Sequence, residues 1–477
     1  MNQNKHLPMN SFRVFLFVIL SLSTSYAQKK LNLSFKVEGV SSGTAKMVGI
    51  YSDGNFMADT SVIAPDGSFS FNGGKDGYYE GFYYMVMPDN TNFPFLLANG
   101  ENFSMKTKVG DYNNTMLVEG SLENQLFYEN QKSQIVIEQK FNATAQRLKT
   151  LTKGTPQYQS TEKEMETILI ERDNILTNLR KKYPTAFFTN FKLAGQNPKY
   201  RYEYLANGVM DTLKTLYNYR QDSWNDYDFN DTRLIRSPVF FNKLKKYLNE
   251  IVPQNPDSSI VYADFLIDKA LINKEYFKMI ANWLALQYKP GTTKMMDGEA
   301  VYSHIILKYF TAEKDDWDSA KDLIGIRKNA QDMRTSLIGM TGQDIKANNP
   351  NGVSKSLYDL KTPITVLFIY NPDCEHCQKE APEIRSFYDK WKSKGVGVFS
   401  IAANAKNQKE WFDFRAKYSV NWDTDVIDPR LESRYHEKYY IDITPEIYVL
   451  DKNHKIIAKN LRPNQLEEVI QKELTKQ

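Results

Sequence analysis

Hydrophobic and polar positions fall into three successive regimes along the chain. Over residues 28–120, short apolar runs alternate with period two, the spacing of a strand with one buried face. Phe69 and Phe71, then Tyr83, Met85 and Met87, follow that alternation. The turn dipeptides Asp53-Gly54, Asp66-Gly67, Gly73-Gly74 and Asn99-Gly100 separate the runs. Such pairs close hairpins because both residues accept left-handed backbone. The pattern predicts a small antiparallel β-sandwich. Tyr78, Tyr79, Phe82, Tyr83 and Tyr84 cluster within it, and they are read as core and edge packing rather than as a binding face.

Over residues 121–330 Gly and Pro thin out and the period lengthens. Met165, Ile168, Ile175, Leu176 and Leu179 recur at helical spacing. Breaks at Gly154-Thr155-Pro156, Tyr183-Pro184, Gln196-Asn197-Pro198, Ser237-Pro238, 253–256 and Pro290-Gly291 cut the region into six or more helices. An all-α middle domain is predicted. Trp283, Tyr288, Met295, Met296, Asp297, Tyr302 and Tyr309 gather near its end. They are read as packed core in preference to a peptide groove.

Residues 331–477 alternate between the two periods. Apolar strands are expected at 365–370, 396–402, 422–427, 446–451 and 455–459. Helices are expected from near Cys374 to about Lys394, stopped by Gly395, over 408–418, from Asp428-Pro429 through Tyr439, and from Pro463. Strand–helix–strand alternation implies a central sheet covered on both faces, an α/β fold. The whole chain is therefore multidomain.

The first 27 residues read differently. Lys5 and Arg13 precede or flank the apolar run VFLFVILSL at 14–22, and Ser25-Tyr26-Ala27 is a small-x-small cleavage site. This is the pattern of a signal peptide, cleaved after Ala27, with no stable membrane span left in the mature chain. The formal charge of +4 drops to +2 without Lys5 and Arg13, which gives no reason to invoke nucleic acid. An exported chain with two cysteines has no structural disulfide framework.

Those two cysteines carry the chemistry. Cys374 and Cys377 stand in NPDCEHC, directly after the apolar run TVLFIY. A helix starting near Cys374 places both sulfurs on one face, one turn apart. The helix N-terminus has unpaired N–H groups and partial positive charge, which favour a thiolate. The first sulfur sits at the tip and attacks; the second resolves a mixed disulfide. His376 favours the thiolate, Asp373 and Glu375 oppose it, and Asp373 is the expected helix N-cap. Three other readings compete with this one. One is a buried structural disulfide. A zinc site needs four ligands, and His304, His436 and His454 are scattered. Covalent haem needs a histidine where Gln378 stands. No cofactor and no metal are expected.

Cys374-Glu375-His376-Cys377, Glu380, Pro382 and Thr444-Pro445 before EIYVLD together resemble a TlpA/ResA-like thioredoxin domain, from about Leu337 to Gln477. The β-rich and helical regions are similar to domains that accompany it in Gram-negative envelope proteins. The resemblance implies a periplasmic thiol–disulfide oxidoreductase, a reductase or isomerase of exported proteins with disulfides, fed by a membrane thiol donor. It implies an acid–base role for Glu380 beside the resolver, one helical turn from Cys377. It implies a cis bond at Thr444-Pro445, with Thr444 offering its backbone to an extended substrate. The family often has Trp where Asp373 stands. The alternative reading is an envelope peptide- or glycan-binding protein with an accessory redox-switch domain.

Overall fold

The computed structural model describes residues 31–73, 77–293, 295–314, 319–403 and 408–475. The expected signal peptide and Gly74 lie outside them. The chain divides into two compact units, Met1–Gly49 with Asn55–Asp173, and Ile50–Gly54 with Asn174–Gln477.

Among the described residues, the N-terminal part of the chain forms eight strands: β1 (Leu33–Glu38), β2 (Thr44–Tyr51), β3 (Gly54–Val62), β4 (Ser68–Phe71), β5 (Gly81–Val86), β6 (Asn92–Leu97), β7 (Phe103–Lys108) and β8 (Leu117–Glu119). They form two four-stranded sheets, ordered β4-β1-β7-β8 and β3-β2-β5-β6. Their aromatic rings meet: Phe35 of the first sheet lies 5.4 Å from Phe95 of the second, centroid to centroid. The period-two residues Phe69, Phe71, Tyr83, Met85 and Met87 are all buried. Of the clustered aromatics, Phe82 and Tyr83 are buried, Tyr78 and Tyr84 are half-buried and Tyr79 is exposed. The expectation of purely antiparallel pairing needs correction, because β1 and β7 run parallel. The long excursion between them lets the chain return in the same direction, which a hairpin cannot do.

After the one-turn α1 (Tyr112–Thr115) come α2 (Leu122–Thr150) and α3 (Pro156–Lys182). Ser121 caps α2 by accepting from the Asn124 N–H at 3.3 Å. The buried Asn124 side chain then exchanges two 2.7 Å hydrogen bonds with the backbone of Leu96, fastening the helix to β6.

In the second unit, α4 (Phe187–Ala194), α5 (Thr212–Asp222), α6 (Pro238–Lys246), α7 (Pro256–Ala270), α8 (Lys274–Tyr288), α9 (Gly298–Tyr309) and α10 (Ala320–Met333) precede the α/β region. Tyrosines fill much of this helical core, and two of them join through their hydroxyls. Tyr227 and Tyr276 share a 2.9 Å hydrogen bond, and Tyr276 also donates to the Asp231 carbonyl at 2.7 Å.

The α/β region comprises β9 (Lys346–Asn348), β10 (Ser354–Ser356), β11 (Ile364–Tyr370), α11 (Glu375–Trp391), β12 (Val396–Ala402), α12 (Gln408–Tyr418), β13 (Asp425–Ile427), α13 (Tyr435–Lys438), β14 (Glu446–Asp451), β15 (Ile456–Lys459) and α14 (Leu466–Leu474). The sheet order is β10-β9-β13-β12-β11-β14-β15, with β11, β12 and β13 parallel and β14 antiparallel to β11. Every residue of β11 and β12 is buried, as central parallel strands require. Val366, Phe368 and Tyr370 face one hydrophobic cluster; Leu367 and Ile369 face the other. Two expectations are corrected. The strand at 422–427 shortens to Asp425–Ile427. The helix from Asp428 through Tyr439 reduces to Tyr435–Lys438. The Asp428 carboxylate accepts from the N–H groups of Glu432 and Ser433, at 3.0 and 2.7 Å, and holds the segment in turns instead.

Asp425 is fully buried below β11 and is saturated with donors. It pairs with Arg415 and accepts from Tyr370 Oη at 3.0 Å, Trp411 Nε1 at 2.9 Å and Ser400 Oγ. Removing the carboxylate leaves a nearly buried guanidinium without its partner, which costs about 3–5 kcal/mol. Asp425→Ala is therefore expected to lower the urea midpoint of this region sharply, followed by tryptophan fluorescence. A midpoint within error of the wild type would show that the network holds nothing.

Candidate active site

β11 delivers the chain to the edge of the sheet at Tyr370, and Asn371 turns it. The Asn371 side chain accepts from the Asp373 N–H and its carbonyl from the Cys374 N–H, both at 3.0 Å. That turn sets Cys374 itself at the N-cap of α11, with extended backbone. Asp373 stands one residue too early to be the cap, which corrects the sequence expectation. Gln378 closes the first turn: its N–H donates to the Cys374 carbonyl at 3.0 Å, and its side chain to the Pro372 carbonyl at 2.9 Å.

The two sulfurs are free thiols in different surroundings. Cys374 is half-buried, and Cys377 is fully buried among Tyr370, Ile384 and Ile447. Slight burial works against a Cys374 thiolate. It is outweighed by the backbone N–H and thiol of Cys377, the backbone N–H of His376, and Thr444, so the Cys374 pKa lies below that of an ordinary thiol. Burial pushes Cys377 up to about 12, against a 3.3 Å hydrogen bond from the Asn371 N–H. Helix position and desolvation thus split one dithiol into a more acidic and a less acidic thiol. His376 acts on the sulfur through its backbone N–H. Asp373, Glu375 and the His376 side chain are all exposed around the tip.

The other expected site residues converge here too. The Thr444–Pro445 peptide is cis, and the Cys374 thiol donates to the Thr444 carbonyl at 3.4 Å. Glu380 is buried on α11, one turn past Cys377. Burial raises its carboxyl pKa, and Arg462 opposes that rise. Arg462, 82 residues away in sequence, bonds Glu380 Oε1, while Glu380 Oε2 is buried and accepts no hydrogen bond among the described residues. Glu446 follows Pro445 directly. Burial lifts its pKa to about 8, with Lys459 pulling the other way. Neither Arg462 nor Lys459 carries any local signal, since only sheet pairing brings them to this end of the domain. Of the aromatic and methionine cluster in the helical region, Trp283, Tyr288, Met295 and Met296 line a cavity of about 740 Å³ together with Ile338.

Residues 338–459 match the AhpC/TSA family. The thiol-disulfide oxidoreductase ResA of Bacillus cereus is 25% identical over 143 residues, covering 28% of this chain and 78% of that protein. The ResA of Bacillus thuringiensis subsp. konkukian is 24% identical over the same span and shares. Among solved structures, the thioredoxin domain of a thiol-disulfide oxidoreductase from Bacteroides vulgatus is 25% identical, with a TM-score of 0.27, over 28% of this chain and 96% of that one. A thioredoxin-like protein from Bacteroides caccae is 16% identical, with a TM-score of 0.47, over 58% of this chain and 99% of that one. The C-terminal region is a thioredoxin-like domain.

The two thiols should titrate apart. Alkylation with iodoacetamide, read by peptide mass spectrometry across pH, should give Cys374 a midpoint below the ~8.5 of a free thiol. Cys377 should stay unmodified beyond pH ~10, given its upward shift to about 12. Equal reactivity of the two would contradict the split environment.

Proposed function

We propose that the chain is a periplasmic thiol–disulfide oxidoreductase whose thioredoxin domain, residues 331–477, reduces or isomerises disulfides of exported proteins. Residues 28–120 and 121–330 are proposed as its β and helical domains, and residues 1–27 as the export signal. The observation that carries the reading is the unequal dithiol at the N-terminus of α11, one sulfur partly exposed and hydrogen-bonded, the other walled in. The names of the ResA relatives support the same chemistry. No helix among the described residues is long and apolar enough to cross a membrane.

The reaction runs in two displacements. The Cys374 thiolate attacks one sulfur of a substrate disulfide; that S–S bond breaks, and the other substrate sulfur leaves as a thiolate and takes a proton. Cys377 then gives its proton to Glu380, attacks the Cys374 sulfur, and frees the second substrate thiol. The substrate gains two electrons and the pair becomes a disulfide. A membrane thiol donor then reduces that disulfide. Thr444 presents its carbonyl beside Cys374, where an extended substrate strand would pair across the Thr444-Pro445 turn. The exposed carboxylates of Asp373 and Glu375 flank the sulfur and disfavour an extremely acidic thiol, which fits a reductant or isomerase better than a strong oxidant.

Cys374→Ser should abolish insulin reduction, and Cys377→Ser should accumulate mixed disulfides on nonreducing gels. The Glu380 carboxyl must be ionised to accept a proton, and burial places that ionisation above the usual carboxylate range. The wild-type rate should therefore climb with pH through that ionisation. Glu380→Gln should lose this limb and fall about 10²-fold at neutral pH, a typical acid–base contribution. A Cys374→Ser protein that exchanges disulfides as fast as the parent would overturn the assignment.

A further inference from the structure

Glu380 does not stand alone. The last residue of β15 and the three that follow it, Lys459-Asn460-Leu461-Arg462, form a strap across the active-site end of the domain. The register places it there: Glu446 pairs with Ile369 at the exit of β11, and Lys459 pairs with Tyr448 two residues further on. At one end of the strap, Lys459 is almost wholly buried and lies 3.8 Å from both Asp297 and Glu299 of the helical region. Asn460 takes left-handed backbone and donates to Glu299 Oε1 at 2.7 Å. Asp297 in turn accepts from the Ile338 N–H at 2.9 Å. At the other end, Arg462 bonds Glu380 Oε1, and its own N–H is held by Gln465 Oε1 at 2.8 Å.

We propose that Arg462 is a positioning residue for the exchange reaction. It clamps one oxygen of Glu380, keeps the carboxylate ionised, and leaves the other oxygen to take the Cys377 proton. The assignment rests on the oxidoreductase reading above. An ion pair with an arginine that is 60% exposed would ordinarily contribute little. Two features make this one different. Its partner is only 11% exposed, so solvent screens the attraction from one side alone. The arginine backbone is also fixed before the side chain reaches out, by Gln465 on one side and by the Asn460–Glu299 bond on the other, which reduces the entropy lost in holding the pair.

The groups acting on the Glu380 carboxyl are Arg462 and, on its own helix, Glu383 and His376, with the Cys377 thiol one turn before it. Arg462 is the opposing charge that bonds it directly. Without it, burial and Glu383 raise the carboxyl pKa further, and the base is lost to protonation at a higher pH.

The test isolates the resolving step. Cys374 is loaded with 5-thio-2-nitrobenzoate as a mixed disulfide in the full chain, and release of the coloured thiolate is followed against pH. In that step the Cys374–thionitrobenzoate bond breaks, the Cys374–Cys377 bond forms, and the Cys377 proton leaves. Arg462→Gln should move the acid limb of the rate profile upward by about one pH unit and slow neutral release about tenfold. Arg462→Lys should recover most of the shift. In a Glu380→Gln background, Arg462→Gln should change the rate less than about twofold, because the clamp has nothing left to act on. An unmoved profile in Arg462→Gln, or the same tenfold loss in the Glu380→Gln background, overturns the clamp while wild-type release continues. A wild-type adduct that Cys377 never releases overturns the exchange reading and the clamp with it.

Discussion

The structure depends on where α11 begins. A strand buried on both faces, Ile364–Tyr370, ends at the sheet edge, and the Asn371 turn swings the next helix so that its first free N–H groups surround one sulfur. A helix N-terminus stabilises negative charge only within its first turn. Cys374 lies inside that range with an open side, and Cys377, three residues on, falls on the face packed against the sheet. The same three-residue spacing therefore lowers one thiol and raises the other. Burial and hydrogen bonding at the helix tip are enough to set the direction of the asymmetry.

A second layer of polar groups supports that end of the domain from beneath and beside. Beneath, Asp425 gathers Arg415, Tyr370, Trp411 and Ser400 into one satisfied network, and Tyr370 is the last residue of β11 before the turn. Buried polar groups are tolerable when every member is paired, and then they fix a single arrangement. Beside it, Asp297, Glu299 and Glu446 surround Lys459 where the helical region meets the sheet. Met296 packs against the same hydrophobic cluster that covers Cys377. The helical region is thus part of the surroundings of the cysteine pair.

Much of this was legible in the residues. Period-two alternation marked the buried faces of β4 and β5, and the apolar run before NPDCEHC marked the central strand. Gly395, at φ 87°, ends the α11 segment where its sequence signal lies. What misled was local too. Asp428-Pro429 resembles a helix start, yet the Asp428 carboxylate satisfies two N–H groups of a turn instead. Asp373 resembles an N-cap, but its backbone serves the Asn371 turn. The parallel pairing of β1 with β7 has no local signal, because strand direction follows from how distant segments return.

By itself the sequence determined which residues could do chemistry: two sulfurs at helical spacing, a carboxylate one turn on, and a Thr-Pro before a strand. These are short-range facts, set by periodicity and by the fixed geometry of one helical turn. Only the tertiary structure decided how those residues differ in acidity and which partners they meet. Burial, the Arg462–Glu380 pair and the Lys459 cluster depend on contacts across 82 and 160 or more residues. Desolvation and ion pairing act through space, and the chain order does not record which groups the folded sheet brings together.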